Sequence, residues 1–167
     1  MGERRRATRT TGPKPSRPRI PGYGIPKGVK GMLAWSYVEE RLTKARNYWI
    51  VTESKGQPHA VPVWGVWVDG TLCFGGGPDT RWMRNLAANP NLAVHLESGD
   101  DVVILEGVAE RITDPAHPLM ARSTEASRAK YQMGGGSGEP FWALRPRVVF
   151  AWTVFPKTAT RWVFDRR

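Results

Sequence analysis

Arg81 and Arg84 stand three residues apart just after Gly75-Gly76-Gly77, a spacing that puts both guanidinium groups on one face of a short helix. Glycines ahead of a helix let the backbone pass close to a ligand, and the first N–H groups of a helix have no partner within it. A glycine turn, a helix start capped at Asp79 or Thr80 and two arginines therefore make an anion cradle, with phosphate as its natural occupant. A solvated helix surface is the competing reading of the same two arginines. Trp64, Trp67 and Trp82 add large apolar faces nearby, which suit a planar phosphorylated molecule as well as a core or an interface. His59, His95 and His117 are far apart in sequence and predict no shared metal site. His95 alternates with Val94 and Leu96 as a strand residue turned off the core, whereas His59 precedes an irregularity at Pro62. There is no Gly-x-Ser-x-Gly, Walker loop, paired-Cys motif or His-Glu-x-x-His, so hydrolytic and metal chemistry have no motif to rest on.

The elements that must position these residues follow from pattern. Ser36 and Glu39 have capping-box spacing, and Val38, Leu42 and Ala45 lie on one face of a helix predicted to end near Arg46. Tyr48–Thr52 and His59–Val68 read as a hairpin turned at Lys55–Pro58. Pro62 cannot donate to a ladder and so marks an edge, a bulge or a place where a flat ring replaces the neighbouring strand. Asp69-Gly70 predicts a tight turn into a strand over Thr71–Phe74. Asn89-Pro90 stops the short helix, residues 92–96 form the next strand, Ser98–Asp100 reverses the chain, and Val102–Ile112 is a long strand with a bulge predicted at Gly107. A sparse covering helix opens at Asp114-Pro115 and ends in a mobile Gly134–Gly138 loop. Val148–Phe155 and Arg161–Phe164 close the set. About seven antiparallel strands with two or three short helices predict a mainly β, closed or nearly closed barrel.

The formal charge of +10 is unevenly spread: residues 1–30 hold nine Lys or Arg against one Glu, leaving sixteen basic and fourteen acidic residues in 31–167. A near-neutral body on a basic Pro/Gly-rich arm is not a nucleic-acid recognition domain, so nucleic-acid binding is not expected of 31–167. The arm itself has too few core-forming side chains to order. The single Cys73 excludes an internal disulfide and sits in an apolar strand as a small buried hydrophobe. The longest apolar run, Val148–Phe155, is far short of the roughly 18 residues of a membrane span, so a cytoplasmic protein is expected.

The order Gln57-Pro58-His59, Val61-Pro62-Val63-Trp64-Gly65, Asp69-Gly70, Phe74-Gly75-Gly76-Gly77 and Arg81-x-x-Arg84-Asn85-Leu86-x-x-Asn89-Pro90 resembles the split β-barrel flavin and deazaflavin-dependent oxidoreductases, relatives of pyridoxamine 5'-phosphate oxidase. The likeness runs from about Trp35 to Phe164. It implies a split antiparallel β-barrel over 31–167, with the cofactor in a groove between the two subunits of a homodimer. On the ring side the implied contacts are His59, Val61, Pro62, Val63 and Trp64, through strand backbone. On the phosphate side they are Thr80, Arg81, Trp82, Arg84 and Asn85, with Trp142 and Arg161 as further contributors. Relatives carry a lysine where this chain has Trp82. The Trp-rich strand and basic arm favour F420 as cofactor, with FMN as the alternative. Hydride transfer to a small electron-poor substrate is the implied reaction, its proton coming from Tyr48, His59 or solvent. A non-catalytic carrier of a flavin or tetrapyrrole is the other reading the resemblance allows.

Overall fold

A computed structural model describes residues 12–132 and 138–165. In chain order the elements are β1 (Pro15–Ser16), α1 (Trp35–Lys44), β2 (Tyr48–Ser54), β3 (Gln57–Val63), β4 (Gly65–Val68), β5 (Thr71–Phe74), α2 (Arg81–Ala88), β6 (Asn91–His95), β7 (Val102–Ile112), α3 (Pro118–Tyr131), β8 (Phe141–Trp152) and β9 (Thr160–Val163). The strands pair antiparallel in the order β1-β9-β8-β7-β6-β2-β3, and β5 carries β4 against a further stretch of β8. The sheet does not close on itself, so the architecture is a split barrel.

Alternation supplies the core. Ile50, Val94, Leu105, Val149 and Trp162 are cross-strand partners from β2 to β9, and all five are fully buried. Burying such a side chain stabilises the fold by about 1.5–3 kcal/mol, so this row anchors the sheet. Val38 and Leu42 of α1 and Trp82 and Leu86 of α2 pack against the same core. Leu119 and Met120 of α3 cover a smaller cluster with Val66, Cys73 and Ile112, which fits the peripheral helix expected there. Burial pushes the Cys73 thiol up to about 12, leaving it the inert hydrophobe its strand predicted.

The β2–β3 and β4–β5 turns have consecutive positive φ values, at Lys55-Gly56 and Asp69-Gly70, as two-residue hairpin loops require. The expected His59–Val68 strand is two strands, β3 and β4, interrupted at Trp64. The expected Val148 strand starts earlier, at Phe141, because β8 runs through Pro146. One edge of β8 follows β7 throughout. The other pairs first with β5, through Trp142–Leu144, and then with β9, through Val148–Ala151. Pro146 lies between those partners, where no ladder needs its missing N–H. The bulge is at the expected place but its extra residue is Arg147 on β8, because Glu106 pairs with Val148 and Gly107 with Pro146. A Cβ at Gly107 would stand 2.7 Å from Leu144 Cδ1 and 2.8 Å from the Arg145 carbonyl oxygen, so the two strands cross there only because position 107 has no side chain.

The Ser36–Glu39 capping box does not form. The helix starts at Trp35 with Ala34 at the cap position and no capping side chain, because Trp35 packs edge-on against Trp162 and Phe164 at 5.5 and 5.2 Å. The covering helix likewise starts later than expected, with the His117 ring accepting the Leu119 N–H. The Gly134–Gly138 loop falls largely outside the described residues, as does the arm up to residue 11. From Gly12 onward the arm is laid on the barrel. Pro15 and Ser16 pair with Trp162 and Arg161, and the Arg17 guanidinium donates to the carbonyls of Gly28, Lys30, Lys157 and Ala159. One guanidinium fork satisfying four carbonyls does for this segment what apolar burial cannot. Among the described residues no helix is long and apolar enough to cross a membrane.

Asp101, in the β6–β7 loop, accepts from Arg41 Nε and from the Tyr37 hydroxyl of α1, and the Arg41 hydrogen bond is the main reason its carboxyl lies below the usual range. The stability this gives is present at neutral pH and lost as pH falls through the depressed value. The pair is partly exposed, so Asp101→Asn is expected to cost only about 0.2–1 kcal/mol at pH 7, a difference that should vanish in acid when denaturant midpoints are compared. Gly107→Ala forces the β7–β8 crossing apart and should cost about 1–3 kcal/mol in the same measurement.

Candidate functional site

The candidate site lies where β3, the glycine turn and α2 meet. β3 ends the strand order, so among the described residues one of its edges has no partner strand. Pro58 and Pro62 are four apart and therefore direct their nitrogens to the same edge. Since the His59 carbonyl accepts from Thr52 of β2, that proline edge is the free one. The free edge thus offers the carbonyls of Pro58, Ala60 and Pro62, with an N–H at Ala60 between the prolines. This is the edge position the sequence allowed for Pro62. Val61 and Val63 turn toward the barrel, and Trp64, 44% exposed, turns outward.

At the other end of the site Thr80 occupies the cap position of α2 without capping it. Its hydroxyl donates to the Gly77 carbonyl instead, so among the described residues no side chain caps the helix start. Neither of the expected caps, Asp79 or Thr80, acts as one. Arg81 and Arg84 both project from the exposed face of α2. The Arg84 guanidinium donates to the Asp79 carbonyl at 2.5 Å, and Arg81 reaches Gln57 Oε1 of β3 at 3.4 Å. Two cations, an uncapped helix start and an exposed glycine turn are therefore adjacent, which is the geometry an anion requires.

Trp82 and Asn85 turn the other way. Trp82 is 5% exposed and packs on Phe74, with ring centroids 5.8 Å apart. A Cβ on Gly76 would lie 2.7 Å from Trp82 Cζ2, so the glycine there makes room for the indole beneath it. The indole at position 82, where the family resemblance implies a lysine, is part of the core. Asn85 is buried and donates to Thr52 Oγ1 at 3.0 Å, and Thr52 in turn donates to the His59 carbonyl at 3.4 Å. This chain of bonds ties α2 through β2 to β3 and holds the two halves of the site in register. Trp142 is buried beside α2, its Nε1 donating to Met83 Sδ, whereas Arg161 lies on β9 against Ser16, well separated from α2 in the strand order.

Of the two proton donors considered, Tyr48 is fully buried, and its hydroxyl donates to the Leu42 carbonyl and accepts from Lys130. Burial raises its pKa well above the ordinary phenol value, and its one hydrogen is committed to the Leu42 carbonyl. His59 stays half-buried on β3. Sequence reasoning missed Lys130 and Tyr131, the last residues of α3. They contact the Trp64–Gly65 junction, and the Tyr131 ring stacks on Trp64 with centroids 4.6 Å apart and planes 5° from parallel. A basic and an aromatic residue at the end of a sparse helix gave no signal, because the contact spans 66 residues of chain.

An open antiparallel sheet split along β8, with helix-borne arginines beside its free edge, defines a split-barrel protein. The chain belongs to the pyridoxamine 5'-phosphate oxidase family, whose model matches residues 36–153. No curated protein matches the sequence. Among solved structures it is similar to a conserved hypothetical protein of Mycobacterium tuberculosis, at 19% identity and TM-score 0.63 over 76% of this chain and 89% of that one. It is also similar to an F420 reductase, at 19% identity and TM-score 0.51 over 66% and 94%. A FAD-binding protein of Mesorhizobium loti matches at 20% identity and TM-score 0.58 over 80% and 96%. Identities this low establish a shared fold.

Trp82→Lys, which installs the residue the resemblance implies, should place a charge in the core and empty the space under Gly76. The expected cost is more than about 3 kcal/mol in chemical denaturation.

Proposed function

We propose that the protein is an oxidoreductase that binds F420, or FMN in the same site, and reduces a small electron-poor substrate. The observation that carries this reading is the pairing of Arg81 and Arg84 on the exposed face of an uncapped helix, directly beside the free edge of β3. When bound, the cofactor supplies hydride chemistry. The protein's own work is to bind and orient. Arg81, Arg84 and the first-turn N–H groups of α2 hold the phosphate, with the Thr80 backbone at the helix start. The free edge of β3 beside Val61–Trp64 carries the ring through the Ala60 N–H and the Ala60 and Pro62 carbonyls, because two prolines keep another strand from pairing there. The Asn85–Thr52–His59 bonds fix the distance between those ends, and His59 is the remaining side-chain candidate for delivering a proton. F420 carries a polyanionic tail that a basic arm would attract, which supports it over FMN.

We also assign a second copy of the chain as partner, in the cytoplasm. Trp49, His95, Ile104 and Phe150 form one cross-strand row on the sheet face that points away from the buried core row. All four are half-buried, and Trp49 stacks on His95 within 2° of parallel. A half-buried, largely apolar row on this face is suited to a homodimer interface beside which the substrate groove would form.

Separate titrations of the purified protein with FMN and F420, with mass spectrometry of any co-purified ligand, test the reading. Binding of at least one is expected, and binding of neither overturns it. Arg84→Ala should weaken the cofactor that binds by about 1–3 kcal/mol, with the melting temperature little changed because Arg84 lies on the surface.

A further inference from the structure

The Trp64–Gly65 junction is the one-residue break between the edge strand β3 and the hairpin β4–β5. Its backbone is held by side chains from a distant element. Lys130 Nζ donates to the Gly65 carbonyl at 3.0 Å and to the Tyr48 hydroxyl at 2.8 Å. The Tyr131 hydroxyl accepts the Gly65 N–H at 2.9 Å and lies 2.8 Å from the Arg46 carbonyl and 2.9 Å from that of Gly65. A phenol has one hydrogen to give. Because Lys130 already serves the Gly65 carbonyl, donation from Tyr131 to Arg46 completes the set with every polar group satisfied. Gly65 is itself confined: a Cβ there would stand 3.0 Å from the Cys73 carbonyl oxygen and 3.3 Å from Phe74 Cβ and Tyr48 Cδ2. The Arg46 guanidinium sits 5.4 Å from the Trp64 ring centroid and 5.9 Å from that of Tyr131.

We propose that Lys130 and Tyr131 are positioning residues that set the backbone of the Trp64–Gly65 break and thereby the angle at which Trp64 and the end of β3 meet a bound ring. This rests on the cofactor reading for its functional half only. A pair of hydrogen bonds to both peptide groups of one glycine, plus a parallel ring stack on the residue before it, fixes position and orientation together. A merely covering helix would contribute neither. Among the described residues, the groups facing the Lys130 amine are the Tyr48 phenol from β2, the Tyr131 ring from α3 and the Gly65 carbonyl from β4, with the Arg46 cation nearby on the α1–β2 connection. None of the side chains is an anion. Desolvation accordingly lowers the Lys130 pKa to about 8, and the bonds it makes weaken as pH rises through that value.

The test has two parts that fail separately. In ligand-free protein, exchange of the Gly65 amide hydrogen, followed by NMR, should accelerate at least tenfold in Tyr131→Phe, which keeps the ring stack but removes the acceptor; an unchanged rate overturns the positioning role whatever the protein binds. In the second part, FMN and F420 affinities are measured from pH 6.5 to 9.5. Wild type should lose several-fold in affinity across that range, Lys130→Met should be weak and flat, and Lys130→Arg, which stays charged throughout, should be tight and flat. Parallel profiles for all three, or a Lys130→Met variant that melts earlier yet binds equally well, would reduce the pair to structural support. Binding of neither cofactor by wild type would remove the cofactor reading and the functional half of this inference, leaving the amide result to stand alone.

Discussion

The cross-strand row Ile50–Val94–Leu105–Val149–Trp162 is the constraint on which the rest depends. Each member is a β-strand residue with no solvent exposure, and together they join five strands into one surface. Because side chains alternate, setting this row inward sets its neighbours Trp49, His95, Ile104 and Phe150 outward, and a slip of one residue would exchange the two faces. Helices α1 and α2 can then dock only on the inner side, where Leu42, Trp82 and Leu86 find apolar partners. The exposed position of Arg81 and Arg84 follows directly, since burial of Trp82, Asn85 and Leu86 leaves the arginines the opposite face of an eight-residue helix.

Two residues without side-chain bulk or donors shape the split. Gly107 lets β7 and β8 cross within contact distance, and Pro146 marks where β8 exchanges β5 for β9 on its other edge. The prolines of β3 act at the sheet's end, keeping its outer edge from pairing with another strand while leaving carbonyls available. Local backbone chemistry at a handful of positions therefore decides both where the barrel opens and where a flat ligand could lie.

Several polar side chains join elements. Thr52 and Asn85 connect α2 to β2 and β3, Lys130 and Tyr131 connect α3 to the β3–β4 break, and Asp101 connects α1 to the β6–β7 loop. Apolar packing would hold these elements together at many angles. Hydrogen bonds to particular backbone atoms select one.

By itself the sequence determined the strand and helix inventory from Tyr48 to Ile112 closely, because two-residue alternation, Asp-Gly and Lys-Gly turns and the Asn-Pro stop are local signals carried by the residues that obey them. The family motifs and the adjacency of the glycine turn to Arg81 and Arg84 were legible for the same reason. Tertiary structure alone decided which way Trp82 faces, since an indole two residues from an arginine reads equally well as a ligand platform or as core until Phe74 and Gly76 are seen around it. It alone decided that α1 begins at Trp35, where packing on Trp162 and Phe164 replaces a cap, and that residues 12–30 lie against β9 through Arg17. Only there, too, does Lys130 meet Gly65, because a hydrogen bond between residues 65 positions apart leaves no periodicity in the chain from which to read it.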